Sequence, residues 1–120
     1  MKSIIIAIIF LFKIAGASAQ QETNSKKPIS VSIKVFGNCT ECKTRIEAAC
    51  EVKGIKEAIW NIDTKILNVV YVPEKISVEQ IHKLVAAVGH DTEKEKAPES
   101  VYLAMPDCCL YRENPNTHHD

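Results

Sequence analysis

An alternating apolar run, Val31, Ile33 and Val35, leads straight into Gly37-Asn38-Cys39-Thr40-Glu41-Cys42-Lys43, and beyond it the apolar period changes. Alternation at two is the mark of a half-buried strand. Cys42, Ile46, Ala49 and Cys50 then fall at helical spacing on one face. The cysteine pair therefore sits on a strand-to-helix turn, Cys39 in the loop and Cys42 in or near the first helical turn. Unpaired backbone N–H groups and the positive end of the helix dipole favour a thiolate there. Lys43 and Arg45 add positive charge. Thiolates bind soft ions and attack disulfides. Two of them with no other obligatory ligand suit Cu(I) better than Mg²⁺ or Ca²⁺. Alone, the C-x-x-C spacing fits a metal site, half of a zinc site or a redox pair.

The rest of the chain sets the frame. A strand over about 29–36 opens after Pro28, and a helix over about 41–52 stops at Gly54. Strands follow at about 57–62 and 66–72. Ser77-Val78-Glu79-Gln80 is a capping box that opens a second helix, about 78–88, ended by Gly89. Residues 91–96 alternate in charge and read as a short polar edge strand. The expected order is β-α-β-β-α-β: an α+β, ferredoxin-like sandwich with two helices on one face of a four-stranded antiparallel sheet.

The first 19 residues stand apart. Lys2, the apolar run Ile4 to Phe12 and Ala17-Ser18-Ala19 form a signal-peptide pattern too short to span a bilayer. The expected organisation is 1–19 signal peptide, 20–28 flexible linker, 29–96 the domain, and 97–120 a C-terminal extension. Export follows, with the periplasm as the expected compartment and no membrane attachment after cleavage. Fifteen basic residues balance fifteen acidic ones, and losing Lys2 and Lys13 leaves the chain slightly acidic. With no basic cluster, nucleic acid is not an expected partner. No general acid–base pair or phosphate loop is visible, so no enzyme activity is expected.

Gly37-Asn38-Cys39-x-x-Cys42, Ile46, Gly54-Ile55, Val69-x-Tyr71 and Gly89-His90 together resemble a heavy-metal-associated (HMA) domain. That family includes copper chaperones, metal-binding modules of copper-transporting ATPases and the periplasmic mercury-binding protein. The resemblance spans about 29–96 and implies the same βαββαβ fold. It implies a soft-metal carrier that sequesters or transfers its ion through Cys39 and Cys42, Cu(I) first, with Zn²⁺ or Hg²⁺ as the other candidates. The partner would be a metal-transporting ATPase or another metal-exchange protein. Asn38 stands where the family usually has methionine, and Cys50 where it has a core leucine. His90 replaces a tyrosine that bacterial members often carry near the metal loop, which makes it a candidate third ligand, titrating between about pH 5 and 7. The alternative function is an exported thiol–disulfide protein using the same pair.

Two further expectations concern the cysteines outside the motif. Cys50, eight residues past Cys42, is about 12 Å along the helix and reads as core. Cys108 and Cys109 lie in the extension. Pro98 is placed to start a short helix and Pro106 to end it. Ten residue steps from Pro98 reach about 15 Å as helix and about 33 Å extended, enough to bring Cys108 and Cys109 back to Cys39 and Cys42. At least one of them is expected to join a three- or four-sulfur site. Cys39 and Cys42 are expected in an exposed turn, His82 on the solvated side of its helix, and His118 and His119 in a loose tail.

Overall fold

The computed structural model describes residues 27–115. The signal-peptide segment and His118 and His119 lie outside the described residues. Strand β1 (Ile29–Lys34) is followed by helix α1 (Thr40–Ala49), strands β2 (Ile55–Trp60) and β3 (Ile66–Tyr71), and helix α2 (Val78–Ala87). A short helix α3 (Glu99–Leu103) and a 3-10 turn over Asp107–Cys109 form the extension. Among the described residues no helix is long and apolar enough to cross a membrane.

The sheet is antiparallel with order β1-β3-β2. Its register puts Val31 opposite Val69 and Ile33 opposite Leu67. With period two, these side chains share one face, and Ile33, Leu67 and Val69 are buried with Ile46 of α1 and Ile81 and Val85 of α2. The intervening pair, Ser32 and Asn68, faces out and is hydrogen-bonded at 2.8 Å. The box that opens α2 forms in both directions: Gln80 N–H donates to Ser77 Oγ at 3.1 Å and Ser77 N–H to Gln80 Oε1 at 2.8 Å. Trp60, fully buried, donates Nε1–H to Val35 O at 3.0 Å. Glu47 Oε2 of α1 accepts from Trp60 N–H at 2.8 Å, so α1 is fastened to the end of β2.

The sheet has three strands where four are expected. The place beside β1 holds one antiparallel bridge, Val35 to Thr92, flanked by Phe36 N–H to Asp91 O at 2.9 Å and Glu93 N–H to Lys34 O at 3.1 Å. The chain then turns away. Thr92 N–H donates to Glu95 O at 2.7 Å, and the Thr92 hydroxyl accepts from the backbone of Lys94 and Glu95. A threonine hydroxyl that bonds the next residues' N–H groups competes directly with a ladder. Lys94, Glu95 and Lys96 supply no apolar side chain to hold the strand on the core. His82 corrects a second expectation. It is 2% exposed, with Nδ1 2.6 Å from Thr92 Oγ1, because this same turn folds over the helix face that would otherwise meet water.

Candidate metal centre

The strand-to-helix turn does bring Cys39 and Cys42 together, their sulfurs 3.2 Å apart. Cys39 caps α1 in extended conformation, with Lys43 N–H donating to its carbonyl at 3.2 Å. The turn is not exposed. Cys39 is 1% and Cys42 0% accessible, because the extension returns across it. Pro98 precedes α3, which buries Tyr102; Met105 packs on Gly89, and the 3-10 turn then delivers Cys108 and Cys109. Cys109 Sγ lies 3.4 Å from Cys39 Sγ and 3.9 Å from Cys108 Sγ. The thiols of Cys39, Cys108 and Cys109 lie within 4.8 Å of one another. All five cysteines are free. Cys50 is buried apart from this group, its thiol pushed up to about 11 by burial.

The electrostatics separate the sulfurs. Burial works to raise the pKa of Cys39, but hydrogen bonds from the Cys42 thiol and backbone and from the Cys109 thiol outweigh it and hold Cys39 below its ordinary value. Burial pushes Cys42 up despite the Asn38 N–H at 3.4 Å. Burial also pushes Cys109 well up, against the Arg45 Nη1–H that reaches its sulfur at 3.2 Å. Of the three, Cys39 is the sulfur whose charged form the surroundings favour. Hydrogen bonds to the charged form are what favour it.

Asn38 has a use that its position in the motif does not announce. Its N–H donates to Cys42 Sγ, its Oδ1 accepts from the Cys42 thiol at 3.4 Å, and its Nδ2 donates to Asn114 O at 2.8 Å. A methionine could not donate to Asn114 and could accept only weakly from the Cys42 thiol. Arg45 and Asn38 were both readable only as a basic residue and a departure from pattern; their roles depend on a segment more than sixty residues away.

The extension is pinned at Asp91. Arg112 donates Nε–H to Asp91 Oδ2 at 3.0 Å and Nη2–H to Oδ1 at 2.8 Å, and its Nη1–H reaches Glu99 at 2.9 Å. The guanidinium stacks 4.1 Å from the Tyr102 ring centre. Tyr111 donates its hydroxyl to Gly89 O at 2.8 Å and accepts from Asp91 N–H at 2.7 Å.

His90 belongs to this packing. It is fully buried, stacked on Tyr111 at 5.3 Å, with Nδ1 2.9 Å from Phe36 O. It is not in the group of mutually close thiols. Burial lowers its pKa to about 4, with the Phe36 carbonyl opposing, so the ring is neutral throughout the pH 5–7 window in which titration was expected. The consequence falls on stability. Between about 6.5, its unfolded value, and 4, the unfolded state binds the proton and the folded state does not. The His90 contribution is therefore complete above pH 6.5 and is lost as pH falls towards 4, by about 3 kcal/mol in all. Denaturant unfolding of wild type and His90→Gln at pH 7 and pH 5 checks this: wild type should weaken on acidification, and the variant should show a clearly flatter dependence.

A βαββα core with a buried thiol cluster at the strand-to-helix pole defines a small α+β thiol-site domain. The comparisons with known proteins agree. The structure is similar to that of the CopZ metallochaperone, with TM-score 0.52 and 26% identity over 53% of this chain and 98% of that one. It is similar also to a copper-binding domain from HMA7, a P-type ATPase, with TM-score 0.52 and 26% identity over 53% and 89% of the two chains. In sequence, 61 residues are 36% identical to a zinc-transporting ATPase of Synechocystis sp., over 50% of this chain and 8% of that protein. The chain thus spans under a tenth of the length of the curated relatives it matches. No family model matches. The likeness to heavy-metal-associated domains carried by the sequence motifs thus extends to the fold.

Proposed function

We propose that this protein is an exported soft-metal carrier that sequesters Cu(I) and passes it on by thiolate exchange. The observation that carries the reading is the meeting of four thiols from two distant segments, Cys42, Cys108 and Cys109 around Cys39. Their chemistry suits a thiophilic ion and not a hard one. With metal–sulfur bonds of about 2.3 Å, a linear two-sulfur site spans about 4.6 Å and a tetrahedral edge is about 3.8 Å. The separations of 3.2, 3.4 and 3.9 Å favour a site of three or four sulfurs. Such a site also accepts Zn²⁺, and Hg²⁺ is a further candidate. The neighbours named as a copper-binding domain and a zinc-transporting ATPase support the same ions. They also suggest a metal-transporting ATPase or another metal-exchange protein as partner. The role is one of binding and not catalysis. Export, with the periplasm as compartment, rests on the pattern of the first 19 residues.

The lowered Cys39 pKa favours one second reading, a thiol–disulfide exchange protein. Competition titrations of Cu(I), Zn²⁺ and Hg²⁺ against chelators of known affinity, on fully reduced chain, separate the two. One Cu(I) held more tightly than Zn²⁺ is the expected result. A chain that binds none of the three tightly, yet forms a reversible disulfide, would be the redox protein.

A further inference from the structure

The four sulfurs are not equally reachable. Cys39, Cys42 and Cys109 are each at most 1% accessible, whereas Cys108 is partly exposed. The separations form a series from the surface inward: Cys108 to Cys109 3.9 Å, Cys109 to Cys39 3.4 Å, Cys39 to Cys42 3.2 Å. Each is shorter than the about 4.6 Å that two 2.3 Å metal–sulfur bonds can span. An ion can therefore be bound by the next sulfur before the previous one lets go.

We infer that Cys108 is the exchange sulfur of this protein, the point where a soft ion enters and leaves, and that Cys39 and Cys42 receive the ion through it while the extension stays closed. The inference rests on the proposed soft-metal reading. In the domain's own turn, Cys39 has no direct opening to an incoming thiol, because the Asp91–Arg112 pair and the Asn38–Asn114 bond hold the extension across it. At each step one metal–sulfur bond forms and one breaks. The receiving thiol gives up its proton and the released sulfur takes one, and the metal's oxidation state does not change. The donor or acceptor outside is a thiol of a small molecule or of a metal-exchange protein, and it needs to approach only the half-exposed edge of the 3-10 turn.

The test is kinetic. Full-length chain loaded with Cu(I) is mixed with the chromophoric chelator bicinchoninate, and release is followed for wild type, Cys108→Ser, and Cys108→Ser/Arg112→Ala. A sulfur that only adds affinity hastens release when it is removed; an exchange sulfur slows it. Cys108→Ser is expected to release Cu(I) at least about tenfold more slowly than wild type, although its equilibrium affinity is no higher. Opening the extension in the double variant should restore the rate. Release from Cys108→Ser that is as fast as wild type or faster would overturn the inference, as would a double variant that stays slow. A wild-type chain that binds no Cu(I) would overturn the functional reading and this inference with it. Tight wild-type binding with unaltered Cys108→Ser kinetics would overturn the inference alone.

Discussion

Cys39→Ser is expected to lose tight Cu(I) binding more completely than any other single cysteine substitution. Cys39 is the sulfur common to both close pairs, 3.2 Å from Cys42 and 3.4 Å from Cys109, and the one whose ionised form its neighbours stabilise. Structural zinc sites of four ligands are worth about 10–16 kcal/mol, or about 3 kcal/mol for each ligand. Loss of one sulfur therefore costs on the order of 10²-fold in affinity, and loss of Cys39 more, because the remaining sulfurs no longer converge. Chelator competition at pH 7 measures it. The fold should survive, since a hydroxyl replaces a thiol at an N-cap, where serine is favoured. Circular dichroism of the variant checks that survival.

The second large effect lies away from the sulfurs. Arg112→Ala should free the extension and expose the cluster. The side chains of Arg112 and Asp91 are 19% and 16% accessible, so the pair is largely buried, and removing one partner leaves the other charge uncompensated. Breaking such a pair costs about 3 kcal/mol. Modification of Cys39 by a thiol reagent should then accelerate on the order of 10²-fold, because reaction requires the extension to lift. The measurement is the labelling rate of each cysteine peptide by mass spectrometry. Equal rates for variant and wild type would show that Arg112 does not hold the extension. The pH dependence has a definite sign. Burial works to raise the Asp91 pKa, but the Arg112 bonds and charge together with the Ala97 N–H outweigh it and hold the carboxyl below the usual range. The ionised pair therefore contributes fully above about pH 4, the unfolded value, and is lost as pH falls through the lower folded one.

Local signals carried much of this architecture. The capping box at Ser77 and Gln80, the stops at Gly54 and Gly89 and the alternation of Val31 and Ile33 each depend on neighbours in the chain, and each element forms. The proline-bounded α3 and the reach of ten residue steps placed Cys108 and Cys109 near the cysteine turn. The missing strand was a different matter. Alternating charge at residues 91–96 gave no burial signal to set against the Thr92 hydroxyl, whose bonds to Lys94 and Glu95 turn the chain instead. His82 and the burial of Cys39 and Cys42 depend on segments that come to lie over them, so no local pattern reports them. The Asp91–Arg112 pair joins residues 21 apart that have no periodic relation. It ties the extension down, and no motif announces it. Asn38 was visible as an oddity, but its partner, Asn114, is 76 residues away.

On the proposed function, the extension supplies sulfur to the same ion as the Cys39–Cys42 turn. X-ray absorption at the copper edge, on wild type loaded with one Cu(I) and on the Cys108→Ser/Cys109→Ser double variant, tests it most directly. Three or four sulfur neighbours are expected in wild type and two in the double variant, with affinity falling together with the count. Two sulfurs in both proteins, at equal affinity, would contradict it.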